Sequence, residues 1–161
     1  MANPLAGTRF YARLANMFMV PLFSLFPVPR GFALLTVTGR RSDRRRQRPV
    51  RAVRQNDTLY AVAMMGERSD WLRNVRQEPR MGIKLGRRRH EGFAREVTDP
   101  AERETALGLY VQSVFPVDYS DYAAYHWGWP TRRKIEEAHR RWFSDGVAVA
   151  IDLQLPPEEH H

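Results

Sequence analysis

The feature that most constrains this chain is an abrupt change of character at residues 38–48. An apolar run, Phe32 to Val37, ends at Thr38-Gly39, a dense arginine tract follows, and an extended pattern resumes at Pro49-Val50. A buried strand delivering a hairpin loop accounts for this order, with Arg40, Arg41, Arg44, Arg45, Arg46 and Arg48 at the tip. Guanidiniums crowded on one loop repel one another, and an arriving anion relieves that repulsion. A solvated basic loop without a ligand is a second reading of the same residues, and a nucleic-acid arm or localisation signal is a third.

The charge balance points the same way. A net charge of +8 and an isoelectric point near 10.5 imply an anionic partner: nucleic acid, an acidic membrane, or a phosphorylated or polycarboxylate ligand. With 161 residues and 43% apolar content, one folded domain with a real core is expected. The absence of cysteine excludes disulfides, thiolate-bound metal and a cysteine nucleophile, and fits a cytoplasmic protein. No histidine-carboxylate spacing suited to a metal, no nucleophile elbow and no nucleotide-binding glycine fingerprint is present. His160 and His161 resemble the stub of a tag and are given no function.

Taken in order, Phe10 to Val28 is rich in large apolar residues, preceded by Arg9 and Arg13 and interrupted by Pro21 and Pro27. It is too broken for a membrane span and lacks a cleavage site, so it reads as an amphipathic helix. Packing on the domain and lying on an anionic bilayer both stay open for it. Pro49 to Gln55 reads as a strand with Arg51 and Arg54 facing one way, Asn56-Asp57 as a turn, and Leu59 to Met64 as a buried strand. A short helix capped at Ser69 or Asp70 carries Trp71, Leu72 and Val75 and stops at Pro79. Met81 to Leu85 and His90 to Val97 form a hairpin around Gly86-Arg87-Arg88-Arg89. Asp99-Pro100-Ala101-Glu102 is a strong helix start, and Thr131 caps a charged helix with Ile135, Trp142 and His139 toward the protein. Asp145-Gly146 leads to a last strand, Val147 to Leu153. The fold class is α+β: five or so antiparallel strands with interleaved helices, compatible with a small closed barrel.

Three motifs carry a family resemblance. Leu34 to Ser42 ends in Thr38-Gly39-Arg40-Arg41-Ser42, with Pro49 opening the next strand. Trp71-Leu72-Arg73-Asn74-Val75 is followed by Pro79, and Phe115-Pro116 precedes Tyr119 and Tyr122. In this order they resemble the deazaflavin-dependent nitroreductase family of the split β-barrel flavin and deazaflavin oxidoreductases. The resemblance covers roughly residues 31–122. It implies a split barrel over 31–155 with an inserted helical segment at about 120–144, an amphipathic segment at 1–30 and a tail at 156–161.

It also implies binding of coenzyme F-420, an 8-hydroxy-5-deazaflavin with a phosphodiester and a polyglutamate tail. Arg40, Arg41, Ser42, Arg46 and Pro49 would meet the phosphate and tail, and Met64, Trp71 and Asn74 would lie toward the ring. Tyr119, Tyr122 and His126 would line the substrate side, as hydrogen-bond donors or proton sources to an activated alkene, quinone or nitro compound. Three residues depart from the family pattern: Asp43 stands where it has glycine, and Met64-Met65 replace a polar-basic pair. They keep open the same barrel with FMN, another hydrophobic or anionic ligand, no cofactor, or a non-redox step. The aromatics lie away from the arginine tract, so no stacking platform for nucleic acid is visible and none is expected as a partner. A small-molecule substrate and a monomer or homodimer complete the expectation.

Overall fold

The computed structural model describes residues 9–125 and 128–154, without the side chains of 9–12, 15, 124 and 125. Six strands close into one antiparallel barrel: β1 (Phe32–Thr38), β2 (Arg45–Gln55), β3 (Thr58–Ala63), β4 (Arg80–Leu85), β5 (Arg88–Glu96) and β6 (Val147–Gln154). Around the wall the order is β1-β2-β3-β6-β5-β4, and β4 pairs with β1 to close it. Period-two alternation builds the interior, where Leu35, Val37, Val50, Ala52, Leu59, Ala61, Ile83 and Ile151 meet. Helix α2 (Asp70–Gln77) adds Trp71, Leu72 and Val75 to that core.

A second apolar layer lies outside the wall. Val53, Tyr60, Val62, Ala148 and Ala150 face out of the barrel under α3 (Pro100–Gln112) and α5 (Arg132–Asp145), which contribute Ala106, Tyr110 and Phe143. Helix α3 starts as its sequence requires, with the Asp99 carboxylate accepting from the Glu102 N–H and Pro100 in the first turn. Helix α4 (Pro116–Tyr125) lies between them in sequence. In α5, Ile135, His139 and Phe143 are buried and Trp142 is half-buried.

The N-terminal helix α1 (Arg9–Leu25) packs on β1 and β2, where Phe23, Val28, Phe32 and Leu34 form a third cluster with Met19, Val20 and Val117 against it. Its C-terminal carbonyls would be orphaned against the barrel. Lys84 of β4 resolves this: its buried ammonium donates to the carbonyl oxygens of Phe23 (2.7 Å), Ser24 (3.0 Å) and Phe26 (3.0 Å). The cation also sits at the negative end of the helix dipole.

Several expectations need correction. Arg45, Arg46 and Arg48 are not at a loop tip: they belong to β2 and pair with Thr38, Val37 and Leu35, so the turn is confined to Gly39–Arg44. Backbone pairing continues as long as β1 offers groups to bond, and the arginine side chains do not interrupt it. Arg51 and Arg54 do not share a face, because positions three apart on a strand oppose each other; Arg51 is buried and Arg54 is exposed. The β4–β5 turn is only Gly86-Arg87, since Arg88 already pairs with Leu85. Met64 lies just past β3 rather than in it.

Lys84→Met should cost about 2 kcal/mol in urea unfolding, the usual worth of lost charge-assisted bonds to buried carbonyls. It should also make the bond region around Leu25 newly sensitive to limited proteolysis. Unchanged stability and cleavage would show that α1 is held by its apolar contacts alone.

Candidate functional site

The barrel wall is incomplete on one side. β2 pairs with β3 only from Ala52 to Gln55, while its N-terminal half continues along β1 as far as Arg45. Between Arg45 and Arg51, therefore, β2 has no strand on its β3-facing side. Pro49, which has no N–H to offer, sits on this free stretch, where its missing donor does least harm. Continuing the register that pairs Ala52 with Ala61 brings Pro49 level with Met64, which follows the end of β3. Met64 is 43% exposed. Pro49 and Met64 thus flank one split in the wall.

The arginine turn stands at the head of this split. The Gly39 N–H donates to the Arg44 carbonyl (2.8 Å), and the Asp43 N–H donates to the Gly39 carbonyl (2.9 Å). A Cβ on Gly39 would stand 2.9 Å from Arg46 Nε, 3.0 Å from Ser42 Oγ and 3.2 Å from the Arg44 oxygen, so a larger residue would have to displace the Arg46 and Ser42 side chains and crowd the turn. Asp43 has φ +51°, the left-handed conformation a glycine would supply without strain. The aspartate keeps the turn and adds an exposed carboxylate to it.

Helix α2 fixes the turn to the barrel mouth. The buried Asn74 Oδ1 accepts from the Arg40 backbone N–H (3.2 Å) and from Arg40 Nη1 (3.1 Å), and Asp70 Oδ1 lies 3.5 Å from Arg40 Nη2. The structure thus brings together Arg40 and Asn74, and places Arg46 and Ser42 against Gly39. Trp71, on the same helix as Asn74, is a core residue. Arg41, Arg44, Arg45 and Arg46 are exposed and, among the described residues, form no pair with a carboxylate.

The candidate substrate-side residues lie on α4. Tyr119 is exposed and Tyr122 half-buried, while His126 falls outside the described residues. What anchors α4 is a buried ion pair that sequence reading missed: Arg51 Nε donates to Asp118 Oδ1 (2.8 Å) and Nη2 to Oδ2 (3.3 Å) and to the Ser113 carbonyl. The Arg51 guanidinium also lies 4.3 Å from the Tyr110 ring centre, and Asp118 Oδ2 accepts from the Phe115 N–H (2.7 Å). The available signal was a lone cation inside the apolar run Val50-Arg51-Ala52-Val53, which a buried strand tolerates only with a partner.

This cluster shifts its neighbours in opposite directions. Burial, and then the Asp118 charge, push the Asp121 carboxyl up to about 7. Burial, and then Arg51, push His139 down to about 4. Burial raises the Tyr110 hydroxyl to about 12, so it stays neutral.

Comparison with known proteins fits this geometry. A family model described as F420H(2)-dependent quinone reductase matches residues 10–128. The chain belongs to that family. F420H2-dependent quinone reductases are oxidoreductases, so the barrel is the body of an enzyme. Among solved structures, an F420-H2 dependent reductase (FDR-A) aligns with a TM-score of 0.52 at 22% identity, covering 78% of this chain and 96% of that one. Another, described as a domain-swapped dimer, aligns with a TM-score of 0.53 at 19% identity, covering 88% and 97%. At these identities the likeness establishes the fold. No curated protein matches the chain significantly.

Two outcomes test this arrangement as built. Asp43→Ala should lose about 1 kcal/mol because alanine resists the left-handed conformation, whereas Asp43→Gly should be neutral or slightly stabilising; equal losses would mean that the carboxylate itself holds the turn. Asp121 keeps its proton in the folded chain up to about 7, so its contribution to stability fades as pH rises from the ordinary carboxylate range through that value. His139 acts oppositely, its contribution fading as pH falls from its ordinary value through about 4. Asp121→Asn should therefore gain about 2 kcal/mol at about pH 8 and nothing at about pH 4, read by urea unfolding. A gain independent of pH would refute the burial of that charge.

Proposed function

We propose that this chain binds reduced coenzyme F-420, with the coenzyme's phosphate and glutamate tail against the arginine turn and its ring along the split between β2 and β3. The observation that carries this reading is the crowding of exposed arginines in consecutive positions at the head of the split. Arg51, Arg54, Arg76, Arg80, Arg95 and Arg132 are each ion-paired within the protein. Arg41 and Arg44 on the turn, and Arg45 and Arg46 at the start of β2, form no such ion pair among the described residues. A donor set of exposed guanidiniums suits phosphate and carboxylate oxygens, which each can bind through two parallel bonds.

In this reading Arg41, Ser42 and Arg46 hold the anionic handle, while Arg40 is committed to Asn74 and keeps the turn in place. Pro49, Met64, Trp71 and Asn74 border the ring. The bound coenzyme supplies hydride chemistry. The protein fixes the distance and angle of approach and keeps water out. Tyr119, Tyr122 and His126 face the substrate, an activated alkene, quinone or nitro compound, and a tyrosine hydroxyl would donate to the atom that gains electron density.

A second reading is favoured by the exposed Asp43 carboxylate and the exposed Met64: the same split holding a more apolar anion with no redox step. Mass spectrometry of natively purified protein separates the two by the mass of the retained ligand.

Titration with the coenzyme, followed by its fluorescence, should give saturable binding in the micromolar range or tighter. Arg41→Ala and Arg46→Ala should each weaken it about tenfold, and Asp43→Asn should tighten it several-fold, about what one charge-assisted contact contributes. Tyr122→Phe should lower turnover of a quinone acceptor about a hundredfold without changing coenzyme affinity. Absence of saturable binding would refute the proposal.

A further inference from the structure

Strand register sends three basic residues toward the inside of the barrel. Arg54 pairs with Leu59, Arg88 with Leu85 and His90 with Ile83, and each of those partners belongs to the interior core or packs against it. Directly opposed residues of an antiparallel pair share a face, so Arg54, Arg88 and His90 stand on the inner side of the wall. They come from β2 and β5, which lie across the barrel from each other in the strand order. Burial, and then the charges of Arg54 and Arg88, hold the His90 imidazole below its ordinary range, so both guanidiniums stand near enough to act on it.

These residues are at the mouth far from the arginine turn. That turn joins the end of β1 to the start of β2, whereas Arg54 is next to the last residue of the 11-residue β2 and Arg88 opens β5. Helix α2 plugs the mouth beside the arginine turn, and among the described residues it is the only helix in the interior core. At the far mouth a cavity of about 670 Å³ opens instead. Phe32, Ala52, Leu59 and Leu85 give it an apolar floor, and Arg54 and Asn56 are in its lining. Arg54 and Leu85 also line the adjoining cavity that holds Arg88 and His90.

Negative charge is scarce there. Asp57, itself exposed, lies 3.7 Å from Arg54. Glu91 alternates to the outside of β5, where it pairs with Arg80, and Asp152 pairs with Arg95. Arg88 is exposed and has no ion pair among the described residues.

We propose that the far mouth is a second ligand site, for a small organic anion whose carboxylate or phosphate meets Arg54, Arg88 and His90 and whose apolar body lies on Leu59 and Leu85. Guanidiniums present forked donors to either oxyanion, and an imidazolium adds a third charge-assisted bond. An apolar hollow in a barrel mouth with a few convergent polar groups is a common form of small-molecule site. The arriving charge also relieves the repulsion among inward-facing cations, which is screened less in a recess than on open surface. The site stands apart from the arginine turn and does not depend on what that turn binds.

The test is titration of the full chain with octanoate and, separately, with inorganic phosphate, followed by calorimetry and by the histidine ring resonances, His90 being assigned by its loss in His90→Gln. Octanoate should shift the His90 resonance saturably and raise the pH at which that ring titrates by about one, because an adjacent anion favours the imidazolium. Phosphate, lacking an apolar body, should bind about tenfold more weakly. Arg88→Ala should weaken octanoate about tenfold, what one charge-assisted contact contributes, whereas Arg41→Ala should leave its affinity unchanged. A His90 ring that does not respond to millimolar octanoate overturns the proposal, as does equal affinity in the wild-type chain and Arg88→Ala. Phosphate binding as tightly as octanoate overturns the apolar half of the site. Loss of octanoate binding in Arg41→Ala would assign the anion to the arginine turn and refute a second site.

Discussion

The structure turns on a mismatch of strand lengths. β2 is 11 residues long, and it has β1 for company over its first part but β3 only at its end. A strand edge leaves backbone groups in need of partners, and a closed barrel normally removes such edges. Here the closure is partial. The overshoot creates the split, carries the arginines to its head, and accommodates a proline where a fully paired strand would not. A β2 that stopped where β3 stops would leave the wall without this split.

The same side chain performs two tasks, separated by burial. Arg51 is enclosed and carries a bidentate carboxylate, a carbonyl and an aromatic face, so its charge is used up inside the protein. Such pairs return little net stability after desolvation, but removing one partner is costly, so they fix relative position more than they strengthen the fold. Here the positions fixed are those of β2 and α4. Asp118 immediately precedes Tyr119, so the buried pair orients the helix that bears the proposed substrate-side tyrosines. The exposed arginines five or more residues earlier on the same strand-turn unit have no such commitment. One strand thus links the anion-facing turn to the tyrosine helix through its own backbone.

Much of this was legible in the chain because local chemistry agreed with the final arrangement. Gly39, Asn56-Asp57, Gly86 and Gly146 mark turns, and Asp99 and Thr131 cap helices as their types require. The apolar alternation of β1, β3 and β6 reports burial. The tract was misread as loop because arginine carries neither the alternation nor the β-branching by which strands are recognised, while its backbone pairs as any other would. The longer-range facts were out of reach for a different reason. Arg51 meets Asp118 across 67 residues and Lys84 meets Phe23 across 61, and nothing local to either partner names the other. Asn74 was singled out by the family resemblance, but that its amide oxygen would take the backbone of the arginine turn follows only from the closed barrel.

Asp43 bears on what kind of anion the turn can take. Its carboxylate is exposed on the turn that carries Arg40, Arg41 and Arg44, and Arg45 and Arg46 open the strand that follows. A ligand with a single negative charge would be drawn by the guanidiniums and repelled by the aspartate at similar range, leaving little net attraction in water. A ligand with several charges spread along its length can set one against each arginine while keeping the carboxylate between or beside them. The attraction then grows with the number of charges, and the repulsion stays that of one group. In the proposed coenzyme site, an aspartate in place of glycine would therefore trade affinity for small anions against preference for extended ones. It does so without disturbing the backbone, because aspartate is among the few residues that accept the left-handed conformation at modest cost.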